Sequence, residues 1–273
     1  MKQQPALWKD ANVIVTGASS GIGRAVATQL LAEGAHVVAM ARRAELLQSL
    51  EGALACPVDL SDTAAIQGAV DQTLANLSKT PHGQTVDALL YFAGVATVTP
   101  PEQLTDTEYE RVMGANIRGA RTLCTAVQPA LADDARLALC SSGITLLPEV
   151  YGFEFYRLSK IYLETYAEWL RQQLQPEQSV TTVLPGFVDT EIWRKEYGVR
   201  GEKMIGRLGR LASFSAEECA RHCLQDTAER KPLSYPTPDV RIIKELLRSE
   251  KVGEVASGVA SLFWKQLHRG TKK

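Results

Sequence analysis

Short apolar runs alternate along this chain with longer segments of helical periodicity, and this alternation limits the possible folds more than any other feature. The runs are apolar throughout and rich in β-branched residues, and they cover residues 12–16, 36–41, 53–58, 87–94, 136–142 and 180–186. Strands that are apolar on both faces need helices on both sides. The pattern therefore predicts an α/β fold in which a doubly wound parallel sheet is the middle of three α/β/α layers.

Amphipathic segments lie between and after these runs. The first starts at Gly21 and stops at Gly34, and a second starts at Ser61 or Asp62. Further helices are predicted over residues 107–130, 153–174 and 239–268, and one more with Ser215 as N-cap and Glu218 three residues later. No Pro-, Gly- or Ser-rich linker and no internal repeat interrupts the chain, so residues 1–273 are predicted to form a single domain.

Composition excludes several classes of function. Of the 273 residues 45% are apolar and 22% charged, and the net charge is −1, so we expect no nucleic-acid partner. The N-terminus has no signal-peptide core, and no run approaches the ~20 apolar residues that span a bilayer. Five cysteines without a disulfide pattern favour a reducing, cytoplasmic setting. Cys219, His222 and Cys223 could share one helix face, but no second Cys/His pair accompanies them, so we predict no metal site.

A glycine-rich turn, "TGASSGIG", stands where the first strand passes into the first helix. Gly17, Gly21 and Gly23 permit a tight turn and close packing of helix on strand. The helix N-terminus then offers free N–H groups and a positive dipole end to a pyrophosphate. Because a strand precedes the turn and a helix follows it, the motif predicts a Rossmann-type, dinucleotide-binding fold.

A second motif is "YRLSK", in which Tyr156 and Lys160 are four residues apart. Residues at this spacing lie on one face of a helix, although the pair also occurs by chance on surface helices. Together with T-G-x-x-x-G-x-G, the motif resembles the short-chain dehydrogenase/reductase (SDR) family, and the similarity extends from about residue 10 to residue 190. In that family Tyr156 would be the acid/base and Lys160 its partner.

Further stretches match the family in order and spacing. The resemblance implies an adenine-binding acid at Asp59, a helix-kinking asparagine that holds a relay water at Asn116, and the catalytic serine at Ser142. "PGFVDT", residues 185–190, would line the nicotinamide. The predicted cofactor-binding residues are Gly17, Ser19, Ser20, Gly21, Ile22, Gly23, Arg42, Asp59, Leu60, Ala93, Gly94, Tyr156, Lys160, Pro185, Gly186, Val188 and Thr190.

Two features depart from the family pattern. The usual N-N-A-G is "YFAG", so Tyr91 and Phe92 replace polar residues that stabilise the central sheet. The interval from Ser142 to Tyr156 is one residue longer than the family leads us to expect. A longer loop beside the substrate pocket would absorb that residue.

The end of the second strand bears on the choice of cofactor. Dinucleotide folds that prefer NAD place an acid there for the ribose 2′-hydroxyl. This chain has Ala41, Arg42 and Arg43 instead, and a guanidinium suits phosphate oxygens. We predict NADP(H) rather than NAD(H), bound by Arg42, with Arg43 as a loop residue at the surface.

The resemblance implies an oxidoreductase that interconverts a small-molecule carbonyl and alcohol. Lys160 and the positive charge of the oxidised nicotinamide are expected to lower the pKa of Tyr156. In the reduction, Tyr156 would protonate the substrate oxygen. Ser142 would donate a hydrogen bond to the same oxygen, and Asn116 would link the relay to solvent. Two alternatives stay open: an NADP(H)-binding sensor without catalysis, and a sugar-nucleotide epimerase or dehydratase on the related extended fold.

The remaining segments carry weaker predictions. Residues 190–211 occupy the position of the family's substrate lid, and their excess of positive charge fits either an anionic substrate or a solvated surface. The apolar "ITLLPEVYGF" before Tyr156 is compatible with a lipid, sterol or aromatic ketone. Residues 239–273 form a C-terminal helical extension whose apolar stripe could pack on the core, pair with another subunit, or lie on a membrane. Apolar positions on the helix of Tyr156 predict a homodimer or homotetramer.

Overall fold

One parallel sheet organises the molecule. The computed structural model describes residues 7–147, 152–192 and 214–247, which contain seven strands in the spatial order β3-β2-β1-β4-β5-β6-β7. The strands are β1 Asn12–Thr16, β2 His36–Ala41, β3 Leu54–Pro57, β4 Val86–Tyr91, β5 Leu131–Cys140, β6 Ser179–Val183 and β7 Leu233–Ser234. Every neighbouring pair is parallel. The order reverses between β1 and β4, so a crevice opens there at the carboxyl ends of the strands.

Helices cover both faces of the sheet. They are α1 Gly21–Ala32, α2 Ala44–Gln48, α3 Thr63–Leu77, α4 Asp106–Met113, α5 Gly119–Val127, α6 Glu154–Gln173, α7 Ala216–Ala228 and α8 Pro238–Leu247. On one face, residues of α1, α2 and α7 pack with β1 and β2 in a single apolar cluster. On the other face, residues of α3, α5 and α6 do the same. The predicted Rossmann-type, doubly wound α/β/α fold is confirmed.

The boundaries of several elements differ from the prediction. The predicted 107–130 helix is divided by a π-helical turn, Gly114–Arg118, and ends in the 3₁₀ turn Gln128–Ala130. β5 begins at Leu131, five residues earlier than predicted, and the register with β4 shifts between Val86 and Ala88. The predicted strands also ran two or three residues too far at the carboxyl ends of β4, β5 and β6. The residues there are small, apolar or buried, and their pattern does not mark the end of the strand.

Helix α6 carries both residues of the "YRLSK" pair on its buried face. Residues three and four apart along it pack inward: Tyr156, Ser159, Lys160, Leu163, Tyr166, Ala167 and Leu170. The opposite side leaves Leu158 52% and Trp169 50% exposed. The amphipathic period predicted over 153–174 therefore places the tyrosine and lysine against the end of β5.

Parts of three predicted segments lie outside the described residues. These are residues 148–151 of the apolar loop before Tyr156, residues 193–211 of the predicted lid and residues 248–273 of the C-terminal extension. The beginning of that extension is helical, as predicted, in α8. No helix within the described ranges is long and apolar enough to cross a membrane.

Candidate active site

A cleft at the carboxyl ends of the strands brings the predicted residues together. All of the predicted cofactor-binding residues line it, and so does Ser142. Asn116 lies just behind its wall, fully buried. The lining of the cleft also includes Arg43, Arg111 and Glu191, which were not predicted as site residues from the sequence. Segments far apart in sequence thus meet at the crevice where the strand order reverses.

The glycine-rich turn is built so tightly that side chains cannot replace its glycines. Gly17 has φ +67°, and a Cβ atom there would lie 2.9 Å from the backbone nitrogen of Ala93. A Cβ atom on Gly23 would lie 2.6 Å from the carbonyl oxygen of Gly17. The turn therefore runs directly over the end of β4, and α1 starts immediately behind it. Ser20, the N-cap residue, makes no side-chain capping bond to α1.

Arg43 occupies the mouth of this turn. Its guanidinium donates hydrogen bonds to Ser20 Oγ at 2.8 Å and to Ser19 Oγ at 3.1 Å. It also forms an ion pair with Glu191 at 2.9 Å. The interpretation of Arg43 as a surface loop residue was wrong, because its side chain turns back to the serines of the glycine-rich turn. The adjacent pair Arg42–Arg43 alone could not show that both residues line the cleft.

Asp59 and Arg42 lie on the same side of the cleft. Asp59 accepts hydrogen bonds from the Ser61 amide at 2.9 Å and the Ser61 hydroxyl at 2.7 Å. Desolvation raises the pKa of Asp59, but the Ser61 hydrogen bonds and the charge of Arg42 outweigh it, so the pKa is lowered overall. The carboxylate therefore stays ionised and holds the turn that leads into α3.

Tyr156 and Ser142 form a hydroxyl pair at the other end of the cleft. Tyr156 is 4% exposed and Ser142 7% exposed. Burial raises the pKa of Tyr156, the buried Cys140 adds to the increase, and the hydrogen bond with Ser142 opposes it. Ser142 Oγ also accepts a hydrogen bond from the Ile144 amide at 3.3 Å. Within the protein, therefore, Tyr156 is held in its protonated form.

Lys160 is buried beside this pair. Its Nζ atom donates to the carbonyl of Cys140 at 2.8 Å and lies 5.6 Å from the centre of the Tyr156 ring. Burial lowers the pKa of Lys160. In the protein alone the pKa of Tyr156 is raised, because desolvation dominates. A lowering of this pKa by Lys160 together with the nicotinamide charge stays a prediction.

Asn116 sits in the π-helical turn and fastens the loop after β4. Its side chain accepts from the Val95 amide at 2.8 Å and donates to the Val95 carbonyl at 2.9 Å. Its amide nitrogen also donates to Ser159 Oγ at 2.9 Å. A Cβ atom on Gly94 would lie 3.2 Å from both Asn116 Oδ1 and Lys160 Nζ. The side chain therefore positions Gly94 and α6, and its role in a water relay stays a prediction.

The Pro185–Phe187 turn borders the cleft next to the loop of Ser142. The Gly143 amide donates to the Pro185 carbonyl at 2.7 Å, which ties this turn to the loop of Ser142. Two side chains from the start of α8, Thr237 and Asp239, accept hydrogen bonds from its amides. Sequence reasoning missed both residues, since no local motif marks them.

The cysteine cluster on α7 packs into the core. Cys219 and Cys223 are buried, with sulfur atoms 4.0 Å apart, whereas His222 is partly exposed and contacts Arg221. Among the described residues no group of three or more His, Cys, Asp or Glu side chains could hold a metal ion.

The parallel sheet, with its cleft at the carboxyl ends of the strands and the glycine-rich turn beside it, defines a class of protein, the Rossmann-type folds. Residues 11–198 match the family model described as short chain dehydrogenase, and the chain belongs to this family.

Individual relatives agree with this assignment. The chain is 29% identical over 204 residues to 11-beta-hydroxysteroid dehydrogenase A of Sesamum indicum, a match that covers 71% of this chain and only 57% of the relative. A Burkholderia phymatum SDR solved with NAD has a TM-score of 0.76 and 21% identity, covering 88% of this chain and 93% of that one. A Burkholderia cenocepacia J2315 short chain dehydrogenase solved with NADP has a TM-score of 0.70 and 23% identity, covering 82% and 92%. These two structures support the fold. One was solved with NAD and the other with NADP, so the fold is found with either cofactor.

Proposed function

We propose that this protein is an NADP(H)-dependent oxidoreductase that interconverts a carbonyl and an alcohol, with Tyr156 as the acid/base. The observation that carries the proposal is the meeting of three groups at one wall of the cleft: the Ser142 hydroxyl, the Tyr156 phenol and the Lys160 ammonium. A donor hydroxyl beside a buried phenol suits a substrate oxygen that gains negative charge during reduction.

The cleft fits a dinucleotide at its opposite end. Gly17 and Gly23 leave no room for side chains where the backbone must come close to a phosphate. The start of α1, with Ser19 and Ser20, would hold the pyrophosphate. Arg42 and Arg43, which both line the cleft, would hold a 2′-phosphate, and guanidinium groups bind phosphate through paired hydrogen bonds. When bound, NADPH supplies the hydride for carbonyl reduction.

The chain's own residues would manage the proton. Tyr156 Oη gives its proton to the substrate oxygen. The phenolate of Tyr156 is then reprotonated by way of the neighbouring Lys160. Ser142 Oγ donates a hydrogen bond to the same oxygen and so stabilises the charge that develops there. Because burial keeps Tyr156 protonated, the chain favours the acid role required in reduction. Lys160 lines the cleft and donates one hydrogen bond to Cys140, and an ammonium group has further donors that the cofactor or the substrate could use.

The wall next to Tyr156 favours an apolar substrate. Phe153 and Ala96 are buried with Tyr156 in a small cluster, against which Ile144 and Ile192 pack. We propose a small-molecule ketone or aldehyde, or the corresponding alcohol, with an apolar group that contacts this cluster. An anionic substrate would instead be recognised by the basic residues within 193–211, which lie outside the described residues.

The test is consumption of NADPH with a panel of apolar ketones, aldehydes, quinones and 3-oxoacyl thioesters. We expect Tyr156→Phe to bind NADPH normally and to lose ~10²-fold to 10⁴-fold in turnover. Tyr162→Phe, on the same helix but outside the cleft lining, is the matched control and should keep full turnover. Equal turnover in Tyr156→Phe and wild type would remove Tyr156 from the mechanism. Tight NADPH binding without turnover on any carbonyl would favour the sensor.

We also propose a cytoplasmic homodimer or homotetramer that associates through α6. Rings of Tyr162, Tyr166 and Trp169 stack in a row along this helix, with centroids 5.8 and 5.7 Å apart, and Trp169 is 50% exposed. Sedimentation equilibrium should show that Trp169→Glu weakens association, whereas Ile242→Glu, at a 60% exposed position on α8, does not. A monomeric wild type at micromolar concentration would overturn this proposal.

A further inference from the structure

Two side chains at the start of α8 accept hydrogen bonds from the backbone of the Pro185–Phe187 turn. The Phe187 amide donates a hydrogen bond to Asp239 Oδ2 at 2.8 Å, and the Gly186 amide donates to Thr237 Oγ1 at 2.9 Å. Consecutive backbone amides of the cleft wall are therefore both satisfied from one segment more than fifty residues away in sequence. This segment lies behind the wall, since neither Thr237 nor Asp239 lines the cleft.

The same segment also touches the loop of the catalytic serine candidate. A Cβ atom on Gly143 would lie 2.5 Å from Val240 Cγ2, and a Cβ atom on Gly186 would overlap the Asp239 carboxylate. Gly143 and Pro185 are themselves joined by a hydrogen bond of 2.7 Å. The start of α8 therefore contacts both the Ser142 loop and the neighbouring Pro185–Phe187 turn.

The Asp239 carboxylate is not arranged for stability alone. Its Oδ2 atom serves the Phe187 amide, while Oδ1 is buried and has no hydrogen-bond partner among the described residues. A buried polar atom without a partner is costly, and such atoms are uncommon in native proteins. The hydrogen bond from the Phe187 amide to a carboxylate oxygen is of the stronger kind, which suits a role in holding the turn firmly.

We propose that Asp239 is a positioning residue for the nicotinamide half of the cofactor. It acts through the Gly186–Phe187 backbone and does not contact the cofactor itself. This inference rests on the proposed function, in which the 185–190 segment lines the nicotinamide. The adenosine half would lie against Gly17, Arg42 and Arg43, where Asp239 has no contact, so loss of the carboxylate should affect one half of the cofactor only.

Calorimetric titration with two ligands tests this selectivity. NADP⁺ contains the nicotinamide, whereas 2′-phospho-ADP-ribose has the same adenosine half and lacks it. Asp239→Ala should weaken NADP⁺ binding about tenfold, the order of one charge-assisted hydrogen bond, and leave binding of the fragment within about twofold. Asp239→Asn retains an acceptor oxygen and should restore most of the NADP⁺ affinity.

A matched control separates positioning from simple loss of stability. Asp226 accepts hydrogen bonds from Ser234 Oγ and Lys231 Nζ, both at 2.7 Å, outside the cleft lining. Asp226→Ala should lower the melting temperature without changing the ratio of the two affinities. If Asp239→Ala does not fold, Thr237→Val removes the neighbouring hydrogen bond to Gly186 at nearly constant volume and should show the same selective loss.

The outcomes that overturn the inference differ from those that overturn the proposed function. Equal weakening of both ligands in Asp239→Ala, or in Thr237→Val where that variant replaces it, would show that α8 only fastens the fold. Failure of wild-type protein to bind either ligand would overturn the proposed function and the inference with it. Selective loss of NADP⁺ affinity with full turnover in Tyr156→Phe would keep the positioning role and reject the proposed acid/base.

Discussion

The phenol of Tyr91 donates a hydrogen bond of 2.6 Å to the carbonyl of Ala115, inside the π-helical turn that carries Asn116. In that turn the Gly119 amide bonds to the Gly114 carbonyl. Tyr91 is fully buried, and its hydroxyl lies 3.0 Å from the position that a Cβ atom of Gly119 would take. The residue that replaces the family's first asparagine thus supports the turn that positions Asn116.

Tyr91→Phe should therefore affect both stability and turnover. Removing the hydroxyl takes this hydrogen bond from the partly buried Ala115 carbonyl, which should lower the free energy of unfolding by about 1–3 kcal/mol. Loosening the Asn116 turn should also lower turnover several-fold with little change in cofactor affinity. Urea unfolding and steady-state kinetics measure the two effects.

Tyr166→Phe is the control for this prediction. Tyr166 is 8% exposed, belongs to the same apolar cluster as Tyr91, and hydrogen-bonds Thr125 on α5. It should lose comparable stability and keep its turnover. If both variants keep full turnover, Tyr91 only stabilises the core.

Local motifs explain why much of the site could be predicted. Tyr156 and Lys160 are separated by one helical turn, so their spacing in sequence is their spacing in space. The glycine turn likewise lies within one strand–helix connection. Tyr91, Thr237 and Asp239 act instead through contacts between distant segments, which no short-range pattern records.

Element boundaries show the same limit. Period and β-branching identified the six longer strands, but β7 is only two residues long and carries no period. The helix α2 has five residues and too few for an amphipathic pattern. The missed helix begins directly after Arg43, the residue that bonds Ser19 and Ser20 in the cleft.

Gly17→Ala should abolish cofactor binding through a steric clash. The substitution adds strain at φ +67° and places a Cβ atom 2.9 Å from the Phe92 and Ala93 backbone. Gly83 has φ +59° and nothing within 4 Å of its Cβ position, so Gly83→Ala carries the strain without the clash. We expect Gly83→Ala to cost about 1 kcal/mol and Gly17→Ala clearly more. Equal destabilisation, measured by urea unfolding, with normal NADPH binding in both would contradict this account.

Arg43→Ala should change the choice between cofactors. If Arg43 holds the 2′-phosphate, the KM for NADPH should rise about tenfold or more, as expected for a lost charged hydrogen bond, while the KM for NADH changes little. Arg24→Ala is the matched control, since Arg24 bonds Leu46 and Ser49 outside the cleft lining. A parallel increase for both cofactors would assign Arg43 to the turn's structure and leave Arg42 as the phosphate ligand.

The buried thiols predict a loss of stability at alkaline pH. Burial raises the pKa of Cys124 from 9.0 to about 12 and that of Cys140 from 9.0 to about 11. Below pH 9.0 both thiols are protonated in the folded and unfolded chains, and their contribution to the free energy of unfolding is fully present. As the pH rises from there toward the folded-state values, only the unfolded chain releases these protons, so unfolding becomes easier. Each thiol can contribute a loss of at most about 1.4 kcal/mol per pH unit.

Urea unfolding of wild type and Cys124→Ala across this pH range separates the thiol from other groups. Cys124 is 3% exposed in the core between α5 and the sheet, so its truncation should lower stability at neutral pH through the cavity it leaves. The variant has one fewer group that ionises on unfolding, and its stability should therefore fall less steeply with pH than that of wild type. Burial also raises the pKa values of Tyr91 and Tyr166, and the neighbouring Cys124 adds to both increases. The variant should therefore lose part of these two shifts as well, which flattens its pH profile further. Parallel pH profiles would mean that the Cys124 thiol ionises equally in both states, which its burial should prevent.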